Sequence, residues 1–520
     1  MAGLEQILGL FLAAVFLASV ARRMGAPYPV FLAVGGALLA FLPGSPTFSL
    51  PPELALALFV APVLLDAAYD ASPRDLKDNW LPVTSLVVFA VGLTTIAAAI
   101  VARALMPSLP WAPAIVLGAV VAPPDAAAAT AVLRQLKPPH RILTILEGES
   151  LFNDATALLI YRLAVGAAIA KEFSFGAVAP TFLFAVAGSV VVGPALAWLM
   201  QRLMDRVQHL PTAIILQFVT TIGVWILAEQ IGLSGVLTMG CYAMAVARTS
   251  PERTPAKVRI PTYAVWETVI FALNILAFIF IGLQIGPILG TLETVDRDRY
   301  FAVAGAVLVT VIVVRVAWHM LFNAAIRWRE RRHGFHPPRP MLRPTLGSGL
   351  VISWSGMRGI VSLAAALALP GDFPYRALIV LTAFTVVLGT LVIQGMTLKP
   401  LMRALNLQDD DPVGHEVSAA RERALRAGLA AFAEDRSPVA DAVRHEFKAN
   451  LGDAQSGSRG AAMRAAHGDI RGRALRAARD AVIAMRASHE IGDDAFHRIE
   501  EDLDWLEMSG GKPAGEADEP

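Results

Sequence analysis

The sequence predicts an all-α membrane protein, with about 13 transmembrane helices that include inverted repeats and interrupted helices, followed by a cytosolic helical tail. Three observations predict it. The 520 residues are 55% hydrophobic and only 17% charged, whereas soluble globular proteins carry about 25% charged residues. The deficit is uneven: residues 1–404 are apolar runs broken by short polar joints, while residues 405–520 read as ordinary soluble sequence. The basic residues, finally, concentrate in alternate joints.

A bilayer-crossing helix needs roughly 20 mostly apolar residues. By that measure spans fall at 4–21, 28–42, 53–69, 81–104, 111–133, 142–170, 178–201, 212–230, 231–247, 264–289, 300–326, 347–369 and 376–398. Short cytoplasmic loops carry the excess of Lys and Arg. One set of alternate joints, from Arg22 and Arg23 to Lys399 and Arg403, holds 21 basic residues; the other holds 5, namely Arg103, Lys171, Arg297, Arg299 and Arg376. A shift of one span would scramble this alternation. The expectation is therefore a multi-pass protein of the cell membrane, with its N-terminus outside and its C-terminus cytoplasmic.

Residues 4–20 have no basic stretch before them and no small-residue cleavage site after them, so they read as a retained first span rather than a signal peptide. In the tail, 405–520, charges recur at helical spacing opposite Ala, Leu and Val, as in 417–431 and 470–485. Residues 456–460 read as a turn or linker, and 508–520 have the composition of a disordered end. A regulatory or dimer-stabilising module and a plain solvated appendage fit the tail equally. A net charge of +1 gives no pull toward nucleic acid. The single cysteine, Cys241, lies in an apolar run, which excludes an internal disulfide framework and reads as a small core hydrophobe. No cofactor, structural metal or catalytic motif is implied; the chain reads as a transporter, not an enzyme.

Ionisable groups at bilayer depth are costly and mark functional sites by default. The densest run lies in the sixth span, where Glu147, Glu149, Ser150, Asn153 and Asp154 fall within eight residues. On a helix Glu147, Ser150 and Asp154 share one face, and Glu149 with Asn153 shares the next. Together they form one wide polar wall. The fifth span contains Pro123 and Pro124 followed by Asp125. Prolines interrupt a helix, and an interruption at membrane depth is tolerated only where freed carbonyls face protein or a watery cavity. Carriers build ion sites at such breaks. Carboxylate, amide, hydroxyl and carbonyl oxygens suit hard alkali cations.

In the twelfth span Arg358 is permanently charged and needs a carboxylate; Glu149 or Glu147 is expected to supply it. That pairing would fix two helices and leave Asp154 without a counter-ion. A desolvated carboxylate open to water on one side holds either a proton or a metal cation, not both. Alternating access then yields exchange. Asp154 is the expected carboxylate, with Asn153 orienting and Asp125 helping to bind the cation.

At these residues the chain resembles the monovalent cation:proton antiporter family 1, a group of bacterial and archaeal Na⁺/H⁺ antiporters related to eukaryotic sodium/proton exchangers. The matching stretches are GESLFNDATALLIY (148–161), SWSGMRGIVSLAAALALP (353–370) and VIQGMTLKPL (392–401), within a resemblance covering 1–404. The tail segment EIGDDAFHRIEEDLDW (490–505) is similar to the C-terminal end of bacterial members. The resemblance implies that Asp154 is the exchanging carboxylate, Asn153 its helper, Ser150 an ion ligand and Glu149–Arg358 a structural ion pair. It also implies a homodimer, with Na⁺ (or K⁺, Li⁺) and H⁺ as substrates. Members typically carry Thr-Asp-Pro in the interrupted helix, where this chain has Pro124-Asp125-Ala126. The missing Thr hydroxyl leaves Na⁺ against K⁺ open, with Na⁺ favoured. The Asn-Asp pair implies one cation for one proton, hence electroneutral exchange.

Other readings compete. Asp154 and Asp125 can instead be structural partners of Arg162 or Arg315. Glu267 and Asn274, seven residues apart, fit a packing network as well as an ion path. Glu229 and Asp66 lie near span ends, where capping is the common explanation. His319 reads as a packed core histidine. Gly232-Leu-Ser-Gly235 matches a hydrolase motif, but a nucleophilic serine needs a base, and His319 alone is at membrane depth. A proton-independent cation channel would also use a polar pathway, but no repeated filter motif is present.

Overall fold

The computed structural model describes residues 2–42, 51–70, 72–133, 136, 138–170, 175–207, 209–253, 256–292, 296–334, 345–407, 412–455 and, beyond these, 470, 473–485, 488, 499, 502–504 and 506. All regular structure among them is helical. Apolar runs of span length, flanked by Pro, Gly and charge, leave the backbone only its own carbonyls as partners, and a helix satisfies them all.

Two units divide the chain, Met1–Asp409 and Asp410–Pro520. In the first, seven stretches among the described residues are long and apolar enough to cross a membrane: Trp80–Leu105, His140–Ile169, Leu183–Met204, Leu210–Gln230, Val258–Gly290, Arg297–Arg329 and Arg376–Leu405. Three shorter apolar helices, Tyr28–Leu39, Leu54–Ala68 and Trp111–Val121, join them. Outward-facing side chains such as Leu12, Leu38, Val191, Ile215 and Leu321 are exposed and apolar, as a lipid-facing surface requires. This is a multi-pass membrane protein.

Helix α1 (Ala2–Arg23) precedes α2 (Tyr28–Leu39), which crosses α13 (Ala256–Leu283) at backbone contact. A Cβ on Gly36 would lie 2.3 Å from the Ile279 carbonyl oxygen, and one on Gly282 would lie 2.1 Å from that of Ala33. Close approach of this kind is how helices associate where lipid removes the hydrophobic drive. Helix α3 (Pro52–Asp70) leads to a short joint helix, α4 (Pro73–Asp78), started by the Ser72 side chain accepting from the Asp75 amide. His140 Nε2 lies 3.3 Å from Asp75 Oδ2 and Arg141 Nε donates to Asn79 Oδ1 at 3.2 Å, so this joint holds the start of α9 (His140–Ala170). Helix α18 (Arg376–Leu405) is buried over most of its length, from Leu378 to Leu391, and exposes Ile393 and Met396 only in its C-terminal half. An all-round apolar helix is an interior one.

Two expected spans are split. The stretch 111–133 forms α7 (Trp111–Val121) and α8 (Ala126–Leu133), as Pro123 and Pro124 require. The stretch 347–369 forms α16 (Leu346–Trp354) and α17 (Ile360–Leu367), a break that hydropathy alone did not reveal. Ser234 belongs to a helix start: its hydroxyl accepts from the Leu237 amide at 3.3 Å, capping α12 (Gly235–Arg253). That capping accounts for the Gly-x-Ser-Gly stretch without a hydrolase.

In the second unit α19 (Pro412–Ala431) and α20 (Pro438–Gln455) form a hairpin. Phe432 and Phe447 meet edge to face at 6.0 Å, and Arg444 donates to the Asp435 carbonyl at 2.7 Å. The linker at 456–460, the end at 508–520 and most of 490–505 lie outside the described residues.

Candidate functional site

The two split helices meet at their breaks. The Asp125 amide donates to the Met357 carbonyl at 2.6 Å, so the 122–125 and 355–359 segments cross by a backbone bond. Contact there is tight: a Cβ on Gly359 would lie 1.6 Å from Asp125 Oδ2. Only glycine permits the carboxylate to sit against that backbone.

Helix α9 lies beside the crossing. Asn153, fully buried, donates Nδ2 to the Pro124 carbonyl at 2.8 Å. Proline at 123 and 124 interrupts the helix, and the Pro124 carbonyl takes its hydrogen bond from another helix through Asn153. Its Oδ1 has no partner among the described residues. Asp154, next in sequence, is 8% exposed and makes no hydrogen bond or ion pair among the described residues. Asp125 lies within electrostatic range of it. Ser150, half-buried, is one turn earlier on the same helix.

The structural ion pair is corrected. Glu149, 1% exposed, pairs with Arg315 on α15 (Arg297–His333) and not with Arg358. The pair is bidentate, with Arg315 Nη1 and Nη2 donating to Glu149 Oε1 and Oε2 at 2.6 and 2.7 Å. Bidentate geometry makes this the strongest class of charge-assisted bond. Arg315 also donates Nε to the Ser353 carbonyl at 3.2 Å and Nη2 to that of Ile352 at 3.4 Å. It therefore covers the C-terminal end of α16.

Arg358, 1% exposed, does the corresponding job for α7. Nε donates to the Val121 carbonyl and Nη2 to that of Ala122, each at 3.1 Å, and Nη1 donates to the Gly356 carbonyl. Four terminal carbonyls of a helix have no partner within it, and a cation there is favoured by the helix dipole. Each broken helix thus ends its first half on a buried guanidinium, one of them neutralised by Glu149. Arg162 and Arg315 are both occupied away from Asp154: Arg162 Nη2 donates to Glu229 Oε2 at 2.6 Å at an exposed position. Arg315 is the functional neighbour that sequence reasoning misplaced; its signal was a lone charge deep in the 300–326 span.

A family model described as "Sodium/hydrogen exchanger, transmembrane" matches residues 7–404. The chain belongs to that family. A sodium, potassium, lithium and rubidium/H⁺ antiporter of Bacillus pumilus is 27% identical over 505 residues, 93% of this exchanger and 74% of its relative. The low-affinity Na⁺/H⁺ antiporter NhaS1 of Synechocystis sp. is 29% identical over 435 residues, 82% of this chain and 79% of its own. Among solved structures, the sodium proton antiporter MjNhaP1 of Methanocaldococcus jannaschii at pH 8 superposes with a TM-score of 0.60 at 16% identity. The match covers 78% of this exchanger and 99% of that chain. The two share a fold.

Proposed function

We propose that this chain is a secondary antiporter, not an enzyme, exchanging one monovalent cation, Na⁺ ahead of K⁺, for one H⁺ across the cell membrane. The observation that carries this reading is the contrast among the acidic groups. Glu149 is saturated by Arg315, whereas Asp154, five residues on and also buried, has no hydrogen bond or ion pair among the described residues. A buried ionised carboxylate without a partner is strongly disfavoured. It must hold a proton or gain a cation, and those states exclude one another.

Asp154 is the exchanging group in this proposal. Asp125 and Ser150 join it as cation ligands, and Asn153 holds the break at Pro123 and Pro124 so that the Asp125 carboxylate faces the same site. A hydrated Na⁺ entering from one side displaces the proton of Asp154 into the same water. Reorientation exposes the loaded carboxylate to the other side, where the reverse occurs. One charge moves each way, so the cycle is electroneutral. Residues 1–404 form the exchange domain of 13 spans, with the N-terminus outside, and 405–520 form a cytosolic tail. The working unit is a homodimer in the lipid bilayer.

The test uses proteoliposomes with an imposed pH gradient and a trapped pH dye. Adding NaCl, KCl or LiCl collapses the gradient for each transported ion, and Asp154→Ala abolishes the response. Cation flux indifferent to the proton gradient would establish a channel instead. Undiminished exchange by Asp154→Ala would remove Asp154 from the site.

A further inference from the structure

Helix α18 runs along the second break and touches both of its ends. Upstream, Thr397 Oγ1 accepts from Trp354 Nε1 at 2.8 Å, at the last residue of α16. Downstream, Thr390 Oγ1 accepts from the Arg358 amide at 3.0 Å. Gln394 stands between these contacts, four residues after Thr390 and three before Thr397, and so on the same helix face. Its neighbour Gly395 is also at the break: a Cβ there would lie 3.4 Å from Met357 Sδ. Gln394 is 0% exposed, and neither Nε2 nor Oε1 has a hydrogen-bond partner among the described residues.

An amide buried without partners lowers stability, and leucine, close to it in volume, would avoid that cost. Three further buried oxygens have no partner among the described residues of the helices around the two breaks, Asn153 Oδ1 on α9, Ser362 Oγ on α17 and Thr382 Oγ1 on α18 itself. Polar groups of this kind are ordinarily served by internal water, which needs two to four polar partners. Gln394 offers a donor and an acceptor, and the carbonyls of the break keep second lone pairs after bonding Asp125 and Arg358.

We propose that Gln394 holds an internal water against the 355–359 break and thereby positions the Met357 carbonyl, and through it Asp125, for the cation. Gln394 is a positioning residue, and this role rests on the exchange reading above. Water there gives the break a defined shape while letting it adjust as the site loads and empties. Two protein side chains locked together would fix it in one arrangement.

Gln394→Leu tests the assignment with two readouts. In reconstituted exchange the variant raises the KM for Na⁺ by about tenfold, the effect of one lost hydrogen-bonded contact, while its melting temperature equals or exceeds that of wild type. Gln394→Asn, which keeps the amide, recovers part of the affinity. Separately, a brief X-ray pulse generates hydroxyl radicals from bound water. Met357, 1% exposed, oxidises in wild type and is protected in Gln394→Leu. Wild-type KM and wild-type Met357 oxidation in the leucine variant would overturn the proposal, as would a fall in transport explained by a fall in melting temperature. If wild type exchanges no protons, the Asp154 reading fails alone, and Met357 oxidation still decides the water.

Discussion

Asn153 reaches from α9 to the carbonyl of Pro124 at 2.8 Å, so the helix that bears Asp154 is pinned to the break that bears Asp125. One hydrogen bond thus sets the separation of two carboxylates that lie far apart in sequence. Asn153→Leu keeps the volume and removes the donor. Misplacement of catalytic groups by about 1 Å costs roughly 100-fold in rate, so exchange by this variant falls by one to two orders of magnitude while membrane yield stays within about twofold. Initial rates of gradient dissipation give the answer; a wild-type rate would mean the pin is dispensable.

The Glu149–Arg315 pair makes a prediction about coupling. Removing one partner of a buried ion pair costs about 3–5 kcal/mol, whereas replacing both can be nearly neutral. Glu149→Gln and Arg315→Met each lower the melting temperature sharply, and the double variant recovers much of the loss. The same cycle with Glu149→Gln and Arg358→Met gives effects closer to additive. Equal coupling in the two cycles would contradict the pairing seen here.

Gly359→Ala places a methyl group where the Asp125 carboxylate sits, since the added carbon would lie 1.6 Å from Oδ2. The carboxylate must move, and cation affinity falls at least about tenfold. Gly371→Ala, where an added carbon meets nothing within 4 Å, is the control and exchanges normally. Matching KM values for the two variants would remove Asp125 from the site.

Outside the membrane spans, Asp75 predicts a pH dependence. Burial pushes its carboxyl up, but hydrogen bonds involving His140 and Ser72 and the charges of Arg74 and His140 together leave its pKa below 3.8. A carboxyl lowered in the folded state stabilises it above the unfolded pKa, and this contribution is lost as pH falls through the folded value. Asp75→Asn therefore melts below wild type at neutral pH, and the gap closes as pH drops below about 3.9. A gap that widened toward acid would refute the sign.

Much of this architecture was legible in the chain. The Pro123–Pro124 break and the polar wall from Glu147 to Asp154 announced themselves because proline chemistry and charge at membrane depth are local signals. The second break was hidden. Residues 355–359 contain no proline, and Gly356 and Gly359 sit in a hydropathy run that continues through them. The partner of Glu149 was hidden for another reason. Arg315 and Arg358 are both lone charges in apolar spans, and nothing along the chain says which one crosses to α9. Arg358 finds its satisfaction in carbonyls that exist only because α7 stops at Val121, a three-dimensional fact with no one-dimensional trace.

The two guanidinium plugs on α7 and α16 have a kinetic meaning. Exposed helix ends are good resting places for metal ions, and a carrier that offered them at its centre would cradle its cargo too well. With Arg358 and Arg315 already seated on those carbonyls, neither end is left open as a resting place. Under the exchange proposal a sodium ion would have to lodge on acidic side chains instead, which favours a short stay.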